Sequence, residues 1–470
     1  MAKRTHKIKV PARTRKDAVN TDQDLSKPME VTIPVMPVED ETSSPTGETL
    51  TEDSPDGPTV EATAAENRPR KLKVTVYAIT KNEAKFVERW MASMCEADEI
   101  VVLDTGSTDG TPDIITAEGL KRKVRTTVVV KKYVPWDSIT EYRSIVARGD
   151  EPWRFDKARN DSLKFVSEDT DICVCTDLDE VLLPGWRSKL EAAWLGAIER
   201  GEKPTTATYE YVWNFNADGS DGAKFTYEKA HAPGVCEWTH PVHEILSYSV
   251  DKVCVAVEGM RLEHHADPSK SRGQYLKLLE LSVAEDPDDD RNVHYLGREY
   301  MFHRRWNDAI ETLERHLRMP KATWRPERAT SMRFIARCYG EIGYPLRQEC
   351  YLWQAVNEAP EQREAPLELA EFVYAQIMKE RDQAKRDYQK LVRVCEIIIE
   401  RKQRVMTYLT RPEAWGARPW DLLSIGLWYT GRRREAVVAI NEALLYSPDD
   451  KRLNDNLALM QRLMAEDEGK

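Results

Sequence analysis

The chain has 470 residues, 32% of them charged, with a formal net charge of −11. That length calls for two or three domains, and the acidic balance argues against a nucleic-acid partner for the protein as a whole. No run of about 18 apolar residues occurs and the N-terminus has no apolar core, so neither a membrane span nor a secretion signal is expected. The eight cysteines, from Cys95 to Cys395, include no C-x-x-C pair. This speaks against structural zinc and a disulfide framework, and for the reducing cytoplasm.

Residues 1–70 are rich in Thr, Pro, Glu, Asp and Ser, lack apolar periodicity, and read as a disordered tail with a basic run from Lys3 to Lys16. Residues 71–270 read as an α/β domain. A β-branched strand, Lys73 to Ile79, leads through Thr80-Lys81-Asn82-Glu83 into a helix whose apolar face is Phe86, Val87, Trp90, Met91 and Met94. A second buried strand, Glu99 to Asp104, ends in the turn sequence Asp104-Thr-Gly-Ser-Thr-Asp109. Thr126 to Val130 is a third strand. The segment Tyr133 to Trp153 is longer than a compact connection needs; it reads first as an ordinary surface elaboration, while Trp136, Tyr142 and Trp153 also suggest a packed insertion. A helix carrying Arg159 and Asn160 at its start precedes a fourth strand, Ile172 to Thr176. Strands alternating with helices predict a mostly parallel, Rossmann-like sheet.

After Leu183-Pro184-Gly185 a helix is expected to run to about Arg200, with Pro184 in its first turn. Thr205 to Trp213, Lys224 to Glu228, Val242 to Val250 and Val253 to Glu263 then read as short, antiparallel strands. Residues 271–470 are helical throughout and carry an internal repeat. Leu296, Gly297, Tyr300, Ala309, Leu313 and Pro320 fall close to the 34-residue tetratricopeptide spacing. Ile335, Ala336, Tyr339, Gly343, Ala355 and Pro360 make a second copy. Leu423, Leu427, Gly431, Ala436, Ile440, Ala443 and Pro448 make a third, while Glu364 to Arg401 is helical but degenerate.

The chemistry concentrates where Ile172–Cys175 runs into Asp177-Leu-Asp179-Glu180. Crowded carboxylates at a buried strand end repel one another unless a cation joins them. Asp177 and Asp179 alternate, so they can face one ligand, and all-oxygen donors suit Mg²⁺ or Mn²⁺. By itself the motif also fits an exposed acidic turn. Two more polar loops, at Thr80–Glu83 and Asp104–Asp109, follow other parallel strands, and ligands of open α/β sheets bind outside those carboxyl ends. Arg159 is a candidate bidentate clamp for a phosphate or sugar hydroxyl. Strand parity turns His264 toward the apolar face and His265 away. Glu244, beside His243, is a candidate general base. The group His240, His243 and His264 also raises a metal hydrolase, though without an H-E-x-x-H helix. No G-x-G-x-x-G or Walker A sequence occurs.

Taken together, Lys81-Asn82-Glu83, Asp104 to Asp109, Ala158 to Leu163, Asp177 to Glu180, Val242-His243-Glu244 and the strand ending at His264 resemble a family-2 glycosyltransferase of the GT-A fold. The resemblance is to bacterial and phage members that join this domain to tetratricopeptide-like repeats. It implies a nucleotide-sugar donor, most commonly UDP-linked, and a divalent cation, Mn²⁺ or Mg²⁺. Asn82, Glu83 and Asp104 would hold the nucleoside, and Asp177 the ribose, sugar or metal. Asp179 and His264 would be metal ligands. It further implies inversion at the anomeric centre, with Glu244 as first choice for the base and Asp267 as second. The acceptor would be a protein or glycan hydroxyl. The repeats could bind that acceptor or pair two copies of the chain. The competing expectation is a decayed transferase serving as a repeat-based scaffold.

Overall fold

The computed structural model describes residues 71–216, 219–267, 273–404, 407 and 409–468. The tail read over 1–70 lies outside the described residues, as does the change of architecture placed near residue 270.

The α/β portion runs β1 (Val74–Thr80), α1 (Ala84–Met94), β2 (Glu99–Asp104), α2 (Thr111–Arg122), β3 (Arg125–Val130), α3 (Ile139–Ala147), α4 (Phe155–Leu163), β4 (Ile172–Cys175), β5 (Glu180–Leu182), α5 (Trp186–Glu199), β6 (Thr206–Val212), β7 (Lys224–His231), β8 (Cys236–Thr239), β9 (Ile245–Tyr248) and β10 (Cys254–His264). Eight strands form one mixed sheet in the order β3-β2-β1-β4-β7-β6-β10-β5, and β8 pairs with β9 in a separate ribbon. Pairings of β1 with β2 and β4, and of β2 with β3, are parallel. They put the ends of β1, β2 and β4 on one edge.

β1, β2 and β4 are buried along their whole length, as their near-continuous apolar sequences require of a sheet covered on both faces. Helix α1 buries Val87, Trp90, Met91 and Met94 against the sheet, and the Trp90 indole donates to Thr176 Oγ1 at 3.0 Å. Each such side chain stabilises the fold by roughly 1.5–3 kcal/mol. Pro184 precedes α5 instead of opening it. Gly185, at φ 80°, is the residue before the helix, and the Glu96 carboxylate accepts from the backbone N–H groups of Gly185 and Arg187 at 2.7 and 3.2 Å. A carboxylate at the positive end of the helix replaces the side-chain cap.

The part expected to pair antiparallel departs from that expectation: β10 is antiparallel to β5 but runs parallel to β6. The predicted strand over 242–250 shortens to β9, because His240 (φ 75°) and His243 (φ 55°) take left-handed backbone in a turn around Pro241. That turn returns the chain onto β8, a strand the sequence pattern did not announce.

The helical portion comprises α6 (Tyr275–Glu285), α7 (Asp290–Phe302), α8 (Trp306–Arg318), α9 (Arg325–Glu341), α10 (Pro345–Glu358), α11 (Glu364–Lys379), α12 (Tyr388–Glu400), α13 (Ala417–Tyr429), α14 (Arg433–Tyr446) and α15 (Lys451–Glu468). The three predicted copies fall on the pairs α7–α8, α9–α10 and α13–α14, and the degenerate stretch forms a further pair, α11–α12. Small residues set how closely paired helices approach. A Cβ on Gly297 would lie 2.5 Å from Leu313 Cγ, and Ala309, Ala355 and Ala436 are fully buried. No helix among the described residues is long and apolar enough to cross a membrane.

The insertion Tyr133–Trp153 joins the two portions. Trp136 and Ile145 share a core with Val242 and with Leu278, Leu279, Val293 and Tyr295 of α6 and α7. Lys277 donates to Asp137 at 2.9 Å, and Arg154 to Glu285 at 2.8 Å.

Candidate active site

The two upstream loops are stapled to each other. Asn82, at φ 55°, receives Thr108 N–H on Oδ1 at 2.7 Å, while its own N–H donates to Ser107 Oγ at 2.8 Å. Ala84 N–H donates to Asp109 Oδ2 and Glu83 N–H to Thr111 Oγ1, each at 3.0 Å. Burial pushes the Asp109 carboxyl up, but the Thr111 hydroxyl and the backbone N–H groups outweigh it and hold it below its ordinary range. Asp104 is fully buried; its Oδ1 accepts from the N–H groups of Gly106 and Ser107 at 2.9 and 2.8 Å, and its Oδ2 from the Ser107 hydroxyl. Glu83, 5% exposed, accepts from Thr80 Oγ1 at 3.0 Å. Glu83 and Asp104 therefore brace the loops from beneath, and Asn82 is the exposed member of the three.

Arg159 sits in the second turn of α4, deeper in the helix than its sequence context suggested. Its Nη2 donates to Asp177 Oδ1 at 2.9 Å, its Nε to Glu244 Oε1 at 2.6 Å and its Nη1 to Cys175 Sγ at 3.1 Å. The guanidinium also lies 5.1 Å over the Trp238 ring. At 4% exposure Arg159 underlies the corner and ties its carboxylates together. The next residue explains the local sequence. Asn160 Nδ2 donates to the Trp238 carbonyl at 2.7 Å and Oδ1 accepts Trp238 N–H at 2.8 Å, so its amide pairs with β8 as a strand edge would.

Lys229 on β7 is the residue that sequence reading missed. It is 2% exposed and lies 3.3 Å from Asp177 Oδ2 and 3.2 Å from Glu180 Oε1. Burial opposes its charge, yet Asp177 and Glu180 hold it protonated well above the ordinary lysine range. The available signal was parity: Lys229 alternates with Phe225 and Tyr227, which pack against the sheet core. Glu180 also accepts from Tyr211 OH at 2.8 Å and, through Oε2, from Asp177 N–H at 2.8 Å.

Asp179 and His264 come together through strand pairing. β5 and β10 run antiparallel with Glu180 opposite His264, and His265 N–H donates to the Asp179 carbonyl at 2.8 Å. Asp179 Oδ2 then lies 3.7 Å from His264 Nε2, with both residues buried. His264 Nδ1 is 3.0 Å from the Trp213 carbonyl, an obligate acceptor, which assigns the ring proton to Nδ1. The ring stacks on Trp213, centroids 4.4 Å apart, and turns Nε2 toward the carboxylate. A lone pair and a carboxylate at this range repel unless a proton or a metal ion lies between them. The donor set therefore fits a divalent cation.

The other clustered histidines point elsewhere. His240 Nδ1 pairs with Asn292 Nδ2 at 2.9 Å and its Nε2 lies 3.5 Å from Asp289. Burial lowers its pKa, with Asp289 acting in the opposite sense. His243 packs against Tyr295, ring centroids 4.4 Å apart, and lies 3.3 Å from Arg298 Nη2. Both seat the α/β portion on α7, so they supply no hydrolase centre with His264. Asp267, the second candidate base, pairs with Lys85 at 2.7 Å. Among the described residues, the group of three side chains that converges closely enough to hold a metal ion is His294, His316 and Glu327 in the helical portion.

A mostly parallel sheet with polar, acid-bearing loops at its carboxyl edge is an α/β architecture that takes a ligand in the crevice outside those strand ends. Residues 75–196 match the family model described as glycosyl transferase family 2, so the chain carries a family-2 glycosyltransferase domain, which supports glycosyltransferase activity. No curated protein matches the chain. Among solved structures, it is similar to a MamA protein at 17% identity, over 37% of this chain and 81% of that one, with a TM-score of 0.28. It is similar to PilF of Pseudomonas aeruginosa at 15% identity, over 40% and 72%, with a TM-score of 0.29. It is also similar to YrrB, a tetratricopeptide protein, at 14% identity, over 38% and 80%, with a TM-score of 0.28.

Proposed function

We propose that the chain is a metal-dependent, inverting glycosyltransferase of the hexosyl class. It moves a sugar from a nucleotide-sugar donor, UDP-linked as first choice, to a hydroxyl of a protein or glycan acceptor in the cytoplasm. The observation that carries this reading is the Asp179–His264 pair at the sheet edge of a family-2 domain. Asp179 and His264 would hold Mn²⁺ or Mg²⁺, with Asp177 beside them. When bound, the ion supplies positive charge against the diphosphate as it leaves.

The chain's own residues supply the rest. Asn82 faces the nucleoside, while Glu83 and Asp104 fix the loops that receive it. Arg159 and Lys229 hold Asp177, and Arg159 also holds Glu244. In the reaction a carboxylate takes the acceptor hydroxyl proton and the acceptor oxygen bonds to the anomeric carbon. The bond from that carbon to the diphosphate oxygen breaks, its electron pair leaving on the nucleoside diphosphate. Glu244 is our assignment for the carboxylate because it shares the corner with Asp177, whereas Asp267 is drawn to Lys85. The helical repeats present the surface for the acceptor or for a second copy of the chain.

The test is a panel of nucleotide sugars screened with Mn²⁺ and with Mg²⁺ for thermal stabilisation and for release of nucleoside diphosphate. A donor at a hundred times its dissociation constant stabilises by about 2.7 kcal/mol. Absence of binding and turnover across the panel would replace this reading with the scaffold.

A further inference from the structure

The helical portion holds a second set of buried metal-type ligands, apart from the donor corner. His294 of α7, His316 of α8 and Glu327 of α9 each bring a ligand atom within 4.8 Å of the others. Both histidines are fully buried and Glu327 is 5% exposed. Ser331 of α9 lies between the rings, its Oγ 2.7 Å from His294 Nδ1 and 2.9 Å from His316 Nδ1. A hydroxyl oxygen can accept two N–H groups, and with both Nδ1 atoms on Ser331 each ring leaves its Nε2 for the cluster. Neither Nε2 makes a hydrogen bond, although both are enclosed. Leaving such an atom unsatisfied costs about 1–3 kcal/mol.

The spacing suits a small, borderline-soft ion. His316 Nε2 lies 3.3 Å from Glu327 Oε1. Two ligands about 2.0 Å from a tetrahedral centre stand about 3.3 Å apart. We propose that His294, His316 and Glu327 form a structural site for Zn²⁺ or a similar divalent transition metal, clamping α7, α8 and α9, with a water as fourth ligand. The clamp has a consequence for the transferase. The face of α7 formed by Asn292, Tyr295 and Arg298 receives His240 and His243, so the ion fixes the helix on which the turn leading to Glu244 is seated.

The full chain, stripped with a chelator and then dialysed against Zn²⁺, tests this by elemental analysis and by competition with a chromogenic chelator. The expected result is a single Zn²⁺ retained per chain by the wild type and by Asp179→Asn. Binding should weaken at least about 100-fold in His316→Gln and in Glu327→Gln. The folded wild type loaded with Co²⁺ should show the strong visible absorption of a tetrahedral site, which keeps the question decidable if a variant fails to fold. Retention lost in Asp179→Asn but kept in His316→Gln would overturn the proposal, as would a wild type that retains no Zn²⁺ or gives only the weak absorption of octahedral Co²⁺. Because the Asp179 variant separates the two sites, failure here leaves the donor-corner reading standing.

Discussion

Two ion clusters in this molecule are built on different ratios of charge. At the sheet edge, Asp177, Glu180 and Glu244 gather around Arg159 and Lys229, so carboxylates outnumber cations, and Asp179 adds a further one beside His264. Between the helices, Glu368 takes Arg333, Arg337 and Arg411, and Arg411 also reaches Glu371 and Glu413 at 3.7 Å, so the charges balance. An excess of carboxylate at a strand end leaves negative charge for a cation to complete. The balanced set around Glu368 is complete within the protein and joins α9 and α11 to the segment before α13. Under the proposed function the same residue types serve ligand binding in one place and cohesion in the other, and the ratio and the neighbouring imidazole tell them apart.

The largest effect that can break this contrast is at Asp179. Replacing Asp179 with Asn should lower metal-dependent donor turnover by at least about 10³-fold, with circular dichroism unchanged. A loss of folding without a specific loss of turnover would place Asp179 with the cohesive residues instead. Next are the two arginine-bound carboxylate sets. Arg159→Ala removes the guanidinium that Asp177 and Glu244 share, and Glu368→Gln removes the carboxylate that Arg333, Arg337 and Arg411 share; each should cost about 3–5 kcal/mol in denaturant titration. They should differ in function. The chain with Glu368→Gln should keep turnover per folded molecule, whereas Arg159→Ala should lose it.

Acid sharpens the same distinction. Burial pushes the Glu368 carboxyl up, but Arg333, Arg337 and Arg411 outweigh it and hold it well below the ordinary range. A depressed carboxylate stabilises the fold fully above its unfolded value, about 4.3, and that stability is lost as pH falls toward the folded value. Thermal unfolding followed from pH 7 downward should therefore weaken below about pH 4.3, and Glu368→Gln should flatten that slope. The smallest effect is expected at Gly297, where Ala would press on Leu313 and cost about 1–3 kcal/mol without touching donor turnover.

The parts of this molecule that were legible in the sequence are those written locally. Val74–Thr80, Glu99–Asp104 and Ile172–Cys175 are apolar runs with polar ends, and α1 has a clear apolar face. Gly297, Ala309 and their counterparts mark helix pairs because only small side chains fit where two helices meet. What escaped depends on chain segments meeting from a distance. Lys229 gained its role only when β7 settled beside β4, and β8 became a strand only because the turn at His240–His243 folded β9 back on it. The aromatic residues of 133–153 hint at a packed insertion, but the segment reads first as a surface elaboration because their partners on α6 and α7 are not visible in the sequence. Parity put His264 inward, yet the β5–β10 register is what brings its ring to Asp179.

The central claim is that Asp179 and His264 complete a cation–diphosphate corner. Its most direct test is titration of a nucleoside diphosphate into the folded chain with and without Mn²⁺, in the wild type and in Asp179→Asn. The account predicts tight binding by the wild type only when Mn²⁺ is present, and loss of that metal dependence in the variant. Equal binding by both proteins, or binding indifferent to the metal, would contradict it.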